Sequence, residues 1–284
     1  MKNTKKKRGT AGTVVLVLVL IAGLGLLLYP TFSDWWNSFH QSRAIASYVR
    51  TAASMDEEEY ERMLQEAEVY NAELLSKPNR FVLTEEEEKE YASILDVTGT
   101  GIMGYVEIPS IEVSLPVYHG IEESVLQVAI GHIAGTSLPV GGTGTHCAIS
   151  GHRGLPSAKL FTDIDQLSNG DTFLLQILGR TLTYEVDQIR TVLPQEMDDL
   201  KIDPEGDYCT LITCTPYGIN THRLLVRGRR VPNLSRDVNV IADAIRIDPV
   251  IAASAAAAPI LLLLVIALAL TGNGKKRSGH VSGI

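Results

Sequence analysis

The stretch from Thr210 to Arg223, TLITCTPYGINTHR, determines what fold and what chemistry we expect around it. Residues 210–213 are β-branched or apolar, and they predict a strand that delivers Cys214 to its end. The Thr-Pro-Tyr-Gly sequence that follows predicts a turn, after which a second strand begins at Arg223. The resulting hairpin places a thiol beside a guanidinium at a strand end, where catalytic groups are commonly found.

A second segment, Ser150-Gly151-His152-Arg153-Gly154, presents a histidine in a glycine-flanked loop. A thiol that attacks a carbonyl, an imidazole that moves protons and a guanidinium that stabilises an oxyanion can together make an acyl-transfer site. Cys214, His152 and Arg223 are therefore the candidate catalytic residues, although lone cysteines and histidines are more often structural. The alternatives to Arg223 are Arg227, Arg229, Arg230 and Arg153. Arg227 shares a strand face with Arg223 but lies further from the turn, so the hairpin geometry favours Arg223.

The other cysteines and histidines give no metal-binding pattern. His146, Cys147 and His152 are close in sequence, but no Cys-x-x-Cys or His-x-x-x-His spacing occurs, so we expect neither a metal nor a cofactor. Cys209 and Cys214 on one strand would be about 16 Å apart. That separation is too large for a disulfide. A bond between Cys147 and Cys209 stays possible.

Two apolar runs near the chain ends predict membrane spans. Residues 11–29 follow a basic tail (residues 1–10), and residues 250–270 precede a second basic tail (residues 271–284). Each run is close to the ~20 residues that cross a bilayer. The positive-inside rule then places both termini in the cytoplasm and the intervening chain outside the cell. A cleaved signal peptide is the alternative for the first run, but residues 29–33 are no small-x-small cleavage site. A buried helix is the alternative for the second run.

The charge of the 284-residue chain is divided unevenly. The net charge is −8, but the tails hold eight basic residues and no acidic ones, which leaves 17 basic against 33 acidic residues, or −16, elsewhere. An acidic outer part argues against nucleic acid as a partner and suits a cationic or lysine-bearing one, although acidity mostly serves solubility.

Between the two predicted spans, the spacing of apolar and turn-forming residues predicts a helical part (residues 30–100) followed by a β part (residues 101–232). Ser54 with Glu57, and Thr84 with Glu87, each predict a capping box at the start of a helix. The seven predicted strands are Tyr105–Ile108, Val113–Tyr118, Thr145–Ser150, Thr172–Leu178, Thr181–Arg190, Tyr208–Thr213 and Arg223–Val231.

Many short strands with glycine and proline turns indicate an all-β barrel or sandwich. A helical turn is predicted at residues 160–163, and a linker helix within residues 233–249 leads into the second span.

Four segments together resemble the sortase family, and within it class C, the pilus-assembling sortases. They are Gly101–Tyr105, Gly135–Gly142, Ser150–Pro156 and Thr213–Gly228, within a likeness that covers residues 101–230. The resemblance implies a mainly β fold, a closed eight-stranded barrel with an N-terminal helical extension flanked by two transmembrane helices.

The resemblance also implies cysteine transpeptidation. Cys214 would attack the Thr–Gly bond of a Leu-Pro-x-Thr-Gly-like sorting signal, and Arg223 would stabilise the oxyanion. His152 would protonate the leaving amine and deprotonate the incoming one, a lysine of the next pilin. The expected partners are pilin subunits and the membrane. The alternatives are a sortase that anchors proteins to peptidoglycan, a cysteine peptidase, and a non-enzymatic two-span surface scaffold.

One segment departs from the class C pattern. These enzymes typically carry a lid with an Asp-Pro-aromatic motif, whose acid and ring cover the active-site arginine and cysteine. The corresponding residues 76–83 contain Lys77-Pro78-Asn79-Arg80-Phe81, with no acid before the proline. Phe81 can still cover the site, but Lys77 cannot replace the acid towards Arg223. The lid is therefore predicted to be absent, weak or differently anchored.

Overall fold

The fold is that of a computed structural model, which describes residues 7–233. Within that range lie four α-helices, α1 (Lys7–Ser54), α2 (Glu57–Leu74), α3 (Glu85–Ser93) and α4 (Glu123–Leu126). The strands there are β1 (Ile102–Ile108), β2 (Val113–His119), β3 (Ile130–His132), β4 (Thr145–Ser150), β5 (Thr172–Ile177), β6 (Arg180–Val192), β7 (Asp207–Thr215) and β8 (His222–Val231). The predicted linker helix, second span and C-terminal tail lie outside the described residues.

The eight strands close into a barrel in the order β1-β2-β3-β4-β7-β8-β6-β5. Two neighbouring pairs, β2–β3 and β4–β7, are parallel, and the other pairs are antiparallel. Closure gives each of these eight strands a hydrogen-bonded neighbour on both sides. The expectation of a closed eight-stranded barrel with an N-terminal helical part is confirmed.

Successive side chains of each strand point alternately into the barrel and away from it, which separates an inner core from an outer wall. On β7, Cys209 and Leu211 belong to the main buried core, whereas Ile212 belongs to a separate small cluster. The same division occurs on β8, where Leu224 is in the core and Leu225 is in the small cluster. The barrel therefore has a filled interior and, on β7 and β8, a second apolar surface facing outwards.

The helices pack on the barrel through a few buried residues. Met63 and Ala67 of α2 join the main core, as their helical spacing predicts. On α1, the Tyr48 hydroxyl donates to the Met103 carbonyl (2.9 Å) and accepts from the Leu178 amide (2.8 Å). The hydroxyl is thus satisfied although Tyr48 is fully buried.

One of the two predicted capping boxes is present. Thr84 and Glu87 form the reciprocal pair that begins α3. The prediction for Ser54 is wrong: α1 continues through Ser54, and Asp56 caps α2 by accepting from the Glu59 amide. No proline or glycine lies between Pro30, which is inside α1, and Ser54, so the helix extends to the position taken for a cap.

The predicted strands occur where they were expected, but some of them begin or end at other residues. All seven predicted strands exist, and β6 extends beyond the prediction, to Val192. The strand β3 was not predicted, because three residues are too few to show alternation. The predicted helical turn at residues 160–163 is displaced, and a 3-10 helix occurs at Ile164–Gln166 instead.

The described chain contains one helical stretch apolar and long enough to cross a membrane, beginning at Val15 within α1. Its mean hydropathy is 2.4 and its most apolar part is not buried in the protein. A signal sequence would share these properties. The barrel unit begins at Ser33, within the same helix.

Candidate active site

The parallel pairing of β4 with β7 places the ends of these two strands at one rim of the barrel. Ser150 is paired with Ile212, so the chain leaves β4 for His152 at the level where β7 reaches Cys214. Two hydrogen bonds fix this arrangement: the Gly151 amide donates to the Ile212 carbonyl (3.0 Å), and the Thr213 hydroxyl donates to the Gly151 carbonyl (2.8 Å). The loop that carries His152 is thereby attached to the strand that carries Cys214.

The hairpin of β7 and β8 places Cys214 opposite Arg223. The two residues are register partners in an antiparallel pair, as the sequence predicts. Cys214 follows Ile212 by two residues and Arg223 precedes Leu225 by two, so both side chains lie on the outer wall. Cys214 is partly exposed, which a nucleophile that meets an external substrate requires.

Arg223 is held by the turn that precedes it. Its Nη1 donates to the carbonyls of Asn220 (3.3 Å) and His222 (3.1 Å). Within the described part of the chain, no carboxylate lies within ion-pair distance of this guanidinium. It therefore keeps donors for an oxyanion. Arg227, the other arginine on this face of β8, donates from Nε and Nη2 to the two carboxylate oxygens of Asp187.

His152 has a carboxylate beside it. Its Nε2 lies 3.6 Å from Oε2 of Glu123, which belongs to α4. The imidazole is about a quarter exposed, with a side-chain exposure of 27%. A carboxylate at this position favours one orientation of the ring. Sequence reasoning missed Glu123, because 29 residues separate it from His152 and α4 has only four residues.

An apolar surface adjoins Cys214 and Arg223 on the outer wall. We call it the outer-wall cluster; it consists of Ala148, Val192, Leu200, Ile212 and Leu225. Strands β4, β6, β7 and β8 contribute to it, and Ile133 packs at its edge. Its five members are only 0–6% exposed, because other residues pack over them. Uncovering them would open a groove next to the candidate nucleophile, and such a groove can take the apolar residues of an extended peptide.

The residues proposed for a lid separate into two groups. Phe81 packs against the outer-wall cluster, so its ring lies on the surface that adjoins the candidate site. Lys77 instead forms an ion pair with Glu87 of α3 (2.6 Å), and Pro78 is exposed. Phe81 thus lies on the outer-wall cluster, whereas Lys77 and Pro78 do not take part in the site.

An arginine that the sequence did not single out anchors this loop. Arg80 donates from Nη1 to the Gly135 carbonyl (2.8 Å) and from Nη2 to the Leu200 carbonyl (2.6 Å). Its guanidinium also lies 4.5 Å from the centre of the Phe81 ring. The anchor is a basic side chain bound to backbone carbonyls of two segments distant in sequence, and not an acid reaching towards Arg223. No sequence signal identifies it, because surface arginines are usually solvated.

The other two cysteines lie inside the barrel. Cys147 and Cys209 are register partners on β4 and β7, and both are free thiols in the buried core. Burial raises the pKa of the Cys209 thiol well above its ordinary value, which keeps it protonated and unreactive. Of the three thiols, Cys214 is the accessible one. In the described range no group of three or more His, Cys, Asp or Glu residues is placed to hold a metal ion.

Comparison with known proteins agrees with this geometry. A sortase domain profile matches residues 106–231. The crystal structure of sortase C1 from Streptococcus agalactiae is 51% identical, covers 68% of this chain and 100% of its own, and superposes with a TM-score of 0.66.

Two other solved structures are similar. Sortase C from Streptococcus pneumoniae is 44% identical, covers 67% of this chain and 97% of its own, and has a TM-score of 0.61. Sortase C from Clostridium perfringens, solved with the C-terminal cell wall sorting motif, is 42% identical, covers 67% of this chain and 99% of its own, and has a TM-score of 0.60.

A closed barrel of this topology with a cysteine on its outer wall, at the end of β7, defines a cysteine transpeptidase of the sortase type. The chain belongs to the sortase family, and its similarity to sortases C from three species places it in class C.

Proposed function

We propose that this enzyme polymerises pilin subunits, with Cys214, His152 and Arg223 as its catalytic residues. The sulfur of Cys214 attacks the carbonyl of threonine in a Leu-Pro-x-Thr-Gly-like signal, and a thioester forms as the Thr–Gly bond breaks. His152 protonates the leaving glycine amine and later removes a proton from the incoming lysine amine. That amine displaces the sulfur, leaving an isopeptide bond and a free thiol.

The register of the three residues carries this proposal. Cys214 is paired with Arg223 across β7 and β8, and the β4–β7 pair brings His152 to the same rim. Arg223 stabilises the oxyanion of each tetrahedral intermediate, since its guanidinium keeps donors unused by carboxylates in the described chain. A pilin as substrate is supported by the similar Streptococcus pneumoniae sortase C, whose structure is described as informative on pilin substrate specificity.

We further propose that the enzyme is anchored by two spans, residues 11–29 and residues 250–270, with both termini in the cytoplasm. The apolar helix that begins at Val15 supports the first span. The basic residues that flank both runs support the orientation. Reaction with a membrane-impermeant thiol reagent at a cysteine introduced in place of Ser282, in a Cys214→Ala background, tests it: labelling of residue 282 in intact cells would contradict a cytoplasmic C-terminus.

The test of pilin polymerisation uses the full chain in detergent micelles, a sorting-signal peptide and a candidate pilin. We expect Thr–Lys isopeptides by mass spectrometry, and none with Cys214→Ala. A Cys214 thioester that is resolved only by cell-wall amines would show wall anchoring instead. Resolution by water alone would indicate a peptidase. Failure to form any thioester, with the site accessible to a small thiol reagent, would overturn the assignment.

The loop of residues 76–83 is proposed as a lid anchored through Arg80. Phe81 lies on the outer-wall cluster, which an extended sorting signal would need. The bonds from Arg80 to the Gly135 and Leu200 carbonyls hold the loop there without an acidic residue. Access to the groove then depends on how often this loop opens.

A further inference from the structure

The part of α1 that follows the apolar stretch directs three polar side chains at the barrel. Asp34, Asn37 and Gln41 are spaced by three and four residues, so they lie on one face of the helix. All three bind backbone groups of barrel loops far away in sequence. We call these three residues the α1 brace.

Two members of the α1 brace hold the loop that contains His152. Asp34 Oδ1 accepts from the Lys159 amide (2.7 Å), and Asn37 Nδ2 donates to the Ser157 carbonyl (2.7 Å). Each bond joins residues more than 100 positions apart. The loop between β4 and the 3-10 helix at Ile164 therefore has contacts to α1 on one side.

Residues of that loop transmit the contact to His152. The loop turns back on itself so that the Phe161 amide donates to the His152 carbonyl (3.1 Å). Phe161 is fully buried and packs under Gly151, where a Cβ would lie only 2.8 Å from its ring. The backbone of His152 is thus fixed between β7, through Gly151, and the segment that α1 binds.

The third member, Gln41, binds the segment that carries the carboxylate beside His152. Gln41 Nε2 donates to the Val128 carbonyl (2.6 Å), just beyond the end of α4. Glu123 at the start of α4 is the carboxylate that lies 3.6 Å from His152 Nε2. Both segments that flank His152 are therefore bound by the same face of α1.

We propose that the α1 brace is a positioning element for His152, so that the helix leading from the apolar stretch is part of the catalytic apparatus as well as a tether. Neither flanking segment has extended regular structure of its own, and misplacing a catalytic group by about 1 Å can cost roughly 10²-fold in rate. This inference rests on the proposed role of His152. Asp34 and Asn37 act through the loop and do not touch the substrate.

The kinetic test compares full-length variants in detergent micelles, with a Leu-Pro-x-Thr-Gly peptide as substrate. We expect Asp34→Ala/Asn37→Ala to lower kcat for peptide cleavage about 10-fold or more and to leave KM within about twofold, because the groove on the outer wall is untouched. Asp34→Asn keeps an acceptor oxygen, so this single variant should retain most of kcat. An unchanged kcat in the double alanine variant would refute the inference.

The matched control is Ser42→Ala, which removes only a hydrogen bond within α1, to the Ser38 carbonyl. Its kcat should equal that of the wild type. An equal loss in Ser42→Ala and in the double variant would mean a general weakening of α1, and the positioning role would fail. Thermal unfolding of each variant identifies any loss of fold.

Hydrogen exchange tests the brace without any substrate. In Asp34→Ala/Asn37→Ala the amides of residues 157–162 should exchange faster, whereas those of β5 should not change. If the wild type cleaves no peptide, the proposed function fails, but the exchange result still decides the brace. If peptide cleavage is normal and exchange at residues 157–162 is unaffected by the substitutions, the brace alone is wrong.

Discussion

Arg223 and Arg227 lie on one face of β8 and differ in what binds them. Arg227 donates to both carboxylate oxygens of Asp187 (3.0 and 2.8 Å) and lies over the ring of Tyr208. Arg223 binds only backbone carbonyls of its own turn among the described residues. The two arginines of one strand therefore differ in their partners: Arg227 is bound within the barrel wall, and Arg223 has no carboxylate partner among the described residues, as its proposed role requires.

We expect Arg223→Ala to lower kcat for peptide cleavage by about 10²–10³-fold, the usual result of losing an oxyanion donor. Its free energy of unfolding should change by less than about 1 kcal/mol, because it loses only bonds to exposed backbone. Arg227→Ala should instead lower the free energy of unfolding by about 1–2 kcal/mol and keep kcat, since it leaves Asp187 without its partner. Steady-state kinetics and urea unfolding of both variants check this, and the reverse outcome would exchange the two roles.

At the scale of elements, the loop of residues 76–83 is a short connection that Arg80 ties to two other segments of the protein. Arg80 reaches two carbonyls from separate loops, and the chain approaches Gly135 so closely that a Cβ there would lie 2.1 Å from the Arg80 carbonyl oxygen. Gly135 also has a φ of +82°, which side-chain-bearing residues rarely adopt. A glycine is thus required where the loop docks.

Removing this anchor should open the groove. We expect Arg80→Ala to raise the rate at which Cys214 reacts with a bulky maleimide about 3- to 10-fold, since the loss of hydrogen bonds from a charged donor is worth ~1 kcal/mol or more. Arg62→Ala is the control, because Arg62 makes only an exposed pair with Glu66 within α2. Equal labelling rates in Arg80→Ala and the wild type would show that the loop does not cover the cysteine.

For the molecule as a whole, one buried histidine links stability to pH. His146 is 1% exposed, and burial lowers its pKa below the ordinary value of about 6.5. Its Nδ1 faces the Lys201 carbonyl (2.8 Å) and its Nε2 the Thr210 hydroxyl (2.8 Å), so the neutral ring is fully hydrogen-bonded. Arg227 and Arg80 also lower the pKa of His146, whereas the bond to the Lys201 carbonyl and the charge of Asp187 raise it.

The sign of the pH effect follows from which state binds the proton. Below about pH 6.5 this histidine becomes protonated in the unfolded chain but stays neutral in the folded protein. The free energy of unfolding is therefore unaffected by His146 above that pH and decreases as the pH falls below it. The loss reaches at most about 1.4 kcal/mol per pH unit. Urea unfolding at pH 7.5 and 5.0 should show a smaller pH-dependent loss in His146→Gln than in the wild type, with His40→Gln, an exposed site, as control. An identical loss in His146→Gln and the wild type would exclude His146 as the source.

The sequence by itself determined the hairpin of β7 and β8 and the pairing of Cys214 with Arg223, because strand alternation and turn residues are local signals. Strand pattern alone left a barrel or a sandwich open, and the closed barrel was expected only through the class C likeness. The class C likeness came from motifs that are also continuous in sequence. The tertiary structure alone decided that β3 exists, that Glu123 lies beside His152, that Arg80 anchors the loop of Phe81, and that α1 binds the loop of His152. Each of these is a contact between residues distant in the chain, made by side chains whose types are common on any surface. Their pairing depends on how the closed barrel and its helices bring separate segments together.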